Sequence, residues 1–177
     1  VSSLPHDPHR LPGQSRQSGL SAVTREPAAI YPQDMTDYRA PTLDMRFTIE
    51  HVVGLDQFTS IERFAGIDRD LLTGVLDEAG RFTSDVIAPL AQIGDTTGST
   101  HNPDGTVTTP PGYKEAYQQF VDSGWPAAGF PEDIGGGGLP WGAAMAIQEM
   151  VKSADLGFSL CPMLTYGSVD MLHQHSS

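Results

Sequence analysis

Residues 130–142 read FPEDIGGGGLPWG, and four contiguous glycines beside a Pro-Glu-Asp suggest one chemistry first: backbone amides cradling a phosphate. The spacing argues against it. A dinucleotide fingerprint needs G-x-G-x-x-G between a strand and a helix, and a P-loop closes on Gly-Lys-Ser or Gly-Lys-Thr. Here the glycines are unbroken, the segment upstream reads as helix, and no Gly-Lys follows. The run is instead expected to be a tight connection whose backbone takes positive φ and passes close to another segment. Trp125 and Trp141 flank it and are expected to pin it by packing.

The other chemistry-bearing residues give less. His6 and His9 in HDPH are three apart, a metal-ligand spacing, but prolines stand close by and no further ligand follows, so chance is the better account. His173 and His175 are two apart and point to different faces of a helix. The sequence YGSVD, residues 166–170, lacks the second glycine of a nucleophile elbow. Cys161 has no activating neighbour in sequence and is expected to be a buried structural thiol. Glu149, in IQEM, reads as a solvated or helix-paired glutamate rather than a base. No catalytic residue and no metal-ligand set is assigned.

These residues sit on an all-α pattern. Residues 38–53 read as a helix with Pro41 in its first turn and a partial stripe of Leu43, Phe47 and Val52. The clearest helix spans 68–90: Leu71, Leu72, Val75, Leu76, Ala79, Phe82, Val86, Ile87 and Leu90 keep a 3.6-residue period, Asp68 is the N-cap, and Pro89 should kink or end it. Residues 93–112 read as a long polar loop with a turn at NPDG and a short extended stretch at TVTT. Helices follow from Pro111 to a stop at Gly124, from Pro140, and over about 158–174, the last with Pro162 disturbing its first part. No convincing strand pair and no repeat is visible.

Composition bounds the function. The chain has 177 residues and a formal charge of −12; residues 1–34 carry three charges of each sign, so the excess belongs to residues 35–177. Such a body repels phosphate backbones and anionic lipid, which excludes a broad nucleic-acid-binding surface. One cysteine allows no intrachain disulfide. No apolar run approaches the ~20 residues of a spanning helix, and no secretory signal is legible, so the expectation is a cytoplasmic protein without membrane insertion. Residues 1–34 read as a disordered tail, and the Met at position 35, in MTDYRAP, is a candidate translation start.

The segment GWPAAGFPEDIGGGGLPWGAAMAIQEM resembles a motif of the N-terminal helical domain of FAD-dependent acyl-CoA dehydrogenases, where Gly-Trp leads to Pro-Glu, a Gly-Gly-x-Gly-Leu-Pro and a helix. YRAPTLDMRF is similar to the extra N-terminal segment of the larger members, and VIAPLAQIGD, VTTPPGYKEAYQQFVDSGW and PMLTYGSVDMLHQHSS continue the pattern in order. The resemblance covers about residues 35–177. It implies a helical bundle with an extra helical segment over 35–66 and the family-like domain over 67–177. It also implies FAD, an acyl-CoA substrate oxidised to the 2,3-enoyl thioester, a homo-oligomer, and an electron-transfer flavoprotein as acceptor. The family's glutamate base and most of its flavin contacts belong to domains not represented in this sequence, so the segment alone is expected to be inactive. By resemblance, Met163, Leu164 and Gly167 would face the acyl chain, with Thr165 and Tyr166 close by. The final HQHSS departs from the family's His-Gly followed by a charged run. The alternative reading is a non-catalytic helical binding or oligomer-interface module derived from that domain.

Overall fold

The computed structural model describes residues 38–176. The expectations that fall on the tail, on His6 and His9 and on Met35 lie outside these residues. What is described is helical: α1 (Thr42–Phe47), α2 (Leu55–Thr59), α3 (Arg69–Phe82), α4 (Leu90–Thr97), α5 (Tyr113–Asp122), α6 (Trp141–Ala154) and α7 (Leu156–His175). A two-residue antiparallel pair, β1 (Thr100–His101) with β2 (Val107–Thr108), interrupts them. It is closed by the expected turn, with Gly105 at φ +84° donating its amide to the Asn102 carbonyl.

α3 follows its periodicity. Leu72, Leu76, Ala79 and Phe82 are buried, and the Asp68 carboxylate accepts the Leu71 amide at 2.8 Å as the N-cap. After Phe82 the chain widens into a π-helical turn over Thr83–Ile87. Pro89, which has no amide to give an α-helical ladder, follows after Ala88, and the chain re-enters α-helix as α4. The expected polar loop over 93–112 therefore begins later: residues up to Thr97 are helix, ended by Gly98 at φ +65°.

The first helix also differs from its expected stripe. α1 begins at Thr42 and opens into a π-helical stretch over Thr48–Gly54. Its buried residues are Met45 and Ile49, one turn apart, whereas Leu43, Phe47 and Val52 are exposed. Met45 and Ile49 pack with Leu72, Leu76, Ile147 and Met150, so α1 and its π extension, α3 and α6 share one core. Phe82, Ile87, Phe120, Val151 and Phe158 form a second cluster that locks α5 and the start of α7 onto α6; Phe120 and Phe158 meet edge-on at 5.8 Å.

The entry strap is tied to both layers. The Tyr38 hydroxyl donates to the Met150 carbonyl at 3.2 Å, and the Ala40 amide donates to Ser84 Oγ at 3.3 Å. Pro162 lies within α7 without ending it, and its ring is buried.

Candidate functional site

The glycine run is built as a closed connection. Gly135 and Gly138 take φ of +84° and +65°, conformations that L side chains resist. A Cβ on Gly136 would collide with the Phe130 carbonyl, and one on Gly137 would stand 2.9 Å from the Ala128 carbonyl oxygen. The amides are spent in the same contacts. Gly136 donates to Pro131, Gly137 to Ala127, Gly138 to Phe130 and Leu139 to Ala128, all at 2.8–3.0 Å. A phosphate cradle needs those N–H groups free, so the run does not fit a nucleotide pyrophosphate or the pyrophosphate of FAD. The two tryptophans divide the packing role: Trp125 is partly buried against both cores, while Trp141 stands half-exposed beside α7.

α7 carries the predicted site residues, and it holds them in two groups. Met163, Leu164 and Gly167 share an outward face with Leu156, Leu160 and Met171, spaced at three, four and seven residues. Leu156 is 62% exposed and Leu164 is 70% exposed, although both are fully apolar. Thr165 is exposed as well. Gly167 has nothing within 4 Å of where a Cβ would stand, so a helix-weakening residue is kept in the middle of a helix at a place with ample room for a side chain.

Tyr166 turns the other way. Its ring stacks on Phe130 with centroids 4.4 Å apart and tilts against Trp141 at 5.6 Å. A Cβ on Gly129 would come within 3.1 Å of its hydroxyl, so that glycine makes room for the ring. The hydroxyl is buried with no hydrogen-bond partner, and burial, with the Asp170 carboxylate, pushes the phenol's pKa up and keeps it neutral. Sequence reasoning placed Tyr166 near the site but missed its partner Phe130. The aromatic residue just before Pro-Glu-Asp is the signal that would have pointed there.

α7 is anchored at its start. The Asp155 carboxylate accepts the Phe158 amide at 3.0 Å as N-cap and the Tyr113 hydroxyl at 2.5 Å. Burial, then that hydrogen bond and the Asp155 charge, raise the Tyr113 pKa strongly. Cys161 is exposed, against the expectation of a buried thiol: within the same turn that carries Phe158, Ser159 and Pro162 into the core, it faces outward. Glu149 is exposed on α6. Among the described residues no three His, Cys, Asp or Glu side chains are placed to share a metal ion, and no helix is long and apolar enough to cross a membrane.

Comparison with known proteins places this architecture. Residues 73–177 match the family model described as acyl-CoA dehydrogenase, N-terminal domain. Over 135 residues, 76% of this chain, it is 44% identical to a 3-methylmercaptopropionyl-CoA dehydrogenase of Ruegeria pomeroyi. The matched stretch is 23% of that relative, so the chain spans less than a quarter of its length.

Proposed function

Because the chain belongs to the acyl-CoA dehydrogenase family through its N-terminal domain, we propose that it is the N-terminal helical part of an oxidoreductase that introduces a 2,3 double bond into an acyl-CoA thioester. In this reading α7 supplies one wall of the acyl pocket, through Met163, Leu164 and Gly167, with Thr165 beside them. Tyr166, clamped between Phe130 and Trp141, fixes how that wall stands against the glycine connection. The family is flavin-dependent, and the glycine run, its amides already bonded to Pro131, Ala127, Phe130 and Ala128, does not fit the pyrophosphate of FAD. The flavin and the base are assigned to the remainder of the enzyme, and no step through the flavin is assigned to these residues. A homo-oligomer, and an electron-transfer flavoprotein as acceptor, belong to the same proposal.

The observation that carries the pocket assignment is Gly167. Glycine inside a helix costs roughly 0.5–1 kcal/mol relative to alanine, and no neighbour requires it here. A requirement for empty space in front of an exposed apolar face explains it, because a bound chain needs that volume. Adaptable Met163 beside it suits an irregular or sulfur-containing acyl group, so the thioester named for the relative, 3-methylmercaptopropionyl-CoA, is the first substrate to assay.

The test is steady-state kinetics of the longest natural product that contains this chain, loaded with FAD, across a series of acyl-CoA lengths. Gly167→Leu is expected to fold and to raise KM for the longer acyl groups about tenfold, corresponding to ~1.4 kcal/mol of lost binding, with little change for the shortest. An unchanged chain-length profile would remove α7 from the pocket. No dehydrogenation of any acyl-CoA would remove the enzymatic reading.

A further inference from the structure

One large cavity of the described residues meets the outward face of α7 only at Leu156. It is a groove of about 1300 Å³ between α4, the β1–β2 hairpin, α5 and the α6–α7 junction. None of Met163, Leu164, Thr165, Tyr166 or Gly167 lines it. Its walls are mainly apolar, with Ala88, Ala91, Val107, Leu156 and Phe158 among them.

The chain holds two lysines, Lys114 and Lys152, and both line this groove. They arrive from different helices, α5 and α6, and neither is in an ion pair among the described residues. Arg46, Arg69 and Arg81 are engaged with carboxylates outside the groove, and Arg39 and Arg63, likewise without an ion pair, do not line it. Two carboxylates also line it. Asp155 is buried and committed to the Tyr113 hydroxyl and the Phe158 amide, while Asp95 is exposed on α4. In a body with a formal charge of −12, this apolar groove gathers both lysines against two carboxylates, one of them committed to hydrogen bonds, and so repels a negative group less than the acidic body as a whole does.

We infer that this groove is a binding site for a single-chain amphiphile with an anionic head, its apolar chain lying along the groove walls and its head between Lys114 and Lys152. Lysine ammonium groups act as mobile point charges rather than planar forks, so they suit a small anionic head, carboxylate or phosphate, without demanding one geometry. Burial of the chain supplies affinity at roughly fourfold per methylene, and the lysines supply the preference for charge. The site does not depend on the dehydrogenase reading, and its test does not involve catalysis.

The experiment is calorimetric titration of the full chain with octanoate, decanoate, decyl phosphate and uncharged decanol. Saturable binding of decanoate is expected, on the order of tenfold tighter than octanoate and at least tenfold tighter than decanol. Decyl phosphate against decanoate shows which head is preferred. K114Q/K152Q, which alters two side chains outside both cores, is expected to bring decanoate down to the affinity of decanol and to leave decanol unchanged. Cys161 also lines the groove, so decanoate should slow its reaction with a maleimide several-fold. Leu164→Asp, on the outward face of α7, should change neither result. Absence of saturable binding, equal affinity for decanoate and decanol, insensitivity to K114Q/K152Q, or loss of binding in Leu164→Asp would each overturn the assignment.

Discussion

Gly136 has no room for a single carbon, because a Cβ there would run into the backbone carbonyl of Phe130, which cannot swing aside as a side chain could. Gly136→Ala is therefore expected to destabilise the chain by about 1–3 kcal/mol, read as a lower denaturant midpoint, while Gly167→Ala raises it slightly. Tyr113 gives a pH-dependent case. Its pKa is raised in the fold above its ordinary value of 10.0, so above that pH the unfolded chain loses a proton that the folded chain keeps. Its contribution to stability is full below pH 10 and is lost as pH climbs through the folded value. Unfolding titrations should thus show stability falling on the alkaline side, with a shallower fall in Tyr113→Phe. That variant is also expected to be less stable at neutral pH by about 1.5–3 kcal/mol, the scale of a hydrogen bond to a charged group. Cys161 should react with a thiol reagent in the native state without denaturant. At this scale the sequence was a partial guide. The glycine run announced positive φ and close approach because only glycine tolerates both, whereas the exposure of Cys161 depends on which way one turn of α7 faces, and nothing local records that.

α7 holds together as an element because Asp155 does two jobs at its first turn, capping the Phe158 amide and receiving Tyr113 from α5. Asp155→Ala removes both and is expected to cost about 2–4 kcal/mol. Asp155→Asn keeps the cap and should recover part of the loss, and the difference between the two variants in urea unfolding measures the link to α5. The helical run over 68–90 was readable in advance because nine apolar residues keep one period, and the structure buries six of them outright, four in α3 and Ile87 and Leu90 beyond it. The π-helical stretches over 48–54 and 83–87 were not, since an extra residue per turn leaves no composition signal and only Pro89 hinted at the second. The misplaced stripe of α1 has the same origin: Leu43, Phe47 and Val52 look like a core face on an α-helical wheel, and tertiary packing chose Met45 and Ile49.

For the molecule as a whole, Leu156, Leu160, Met163, Leu164 and Met171 form a continuous apolar strip along one helix, all facing out. Strips of this kind mark surfaces that another body covers. The 177-residue chain by itself is accordingly expected to self-associate in sedimentation velocity, and Leu160→Glu with Leu164→Glu to restore a monomer with little change in unfolding midpoint. The all-helical class and the order of the main helices were legible from periodicity and from the motifs around the glycine run. The division of α7 into an outward face and an inward Tyr166 was not, because it depends on Phe130 and Trp141 meeting that ring from two separate segments. The strap at the start of the described chain carries a different kind of consequence. Tyr38 finds its acceptor on Met150, 112 residues later, and at ribosomal speeds of 5–20 residues per second the interval between making one and making the other is roughly 6–22 s. The strap is thus made well before the residue that fastens it, and through that interval a nascent chain presents Met45 and Ile49 without the α6 side chains that cover them, a window in which these two apolar side chains are open to contact with other chains.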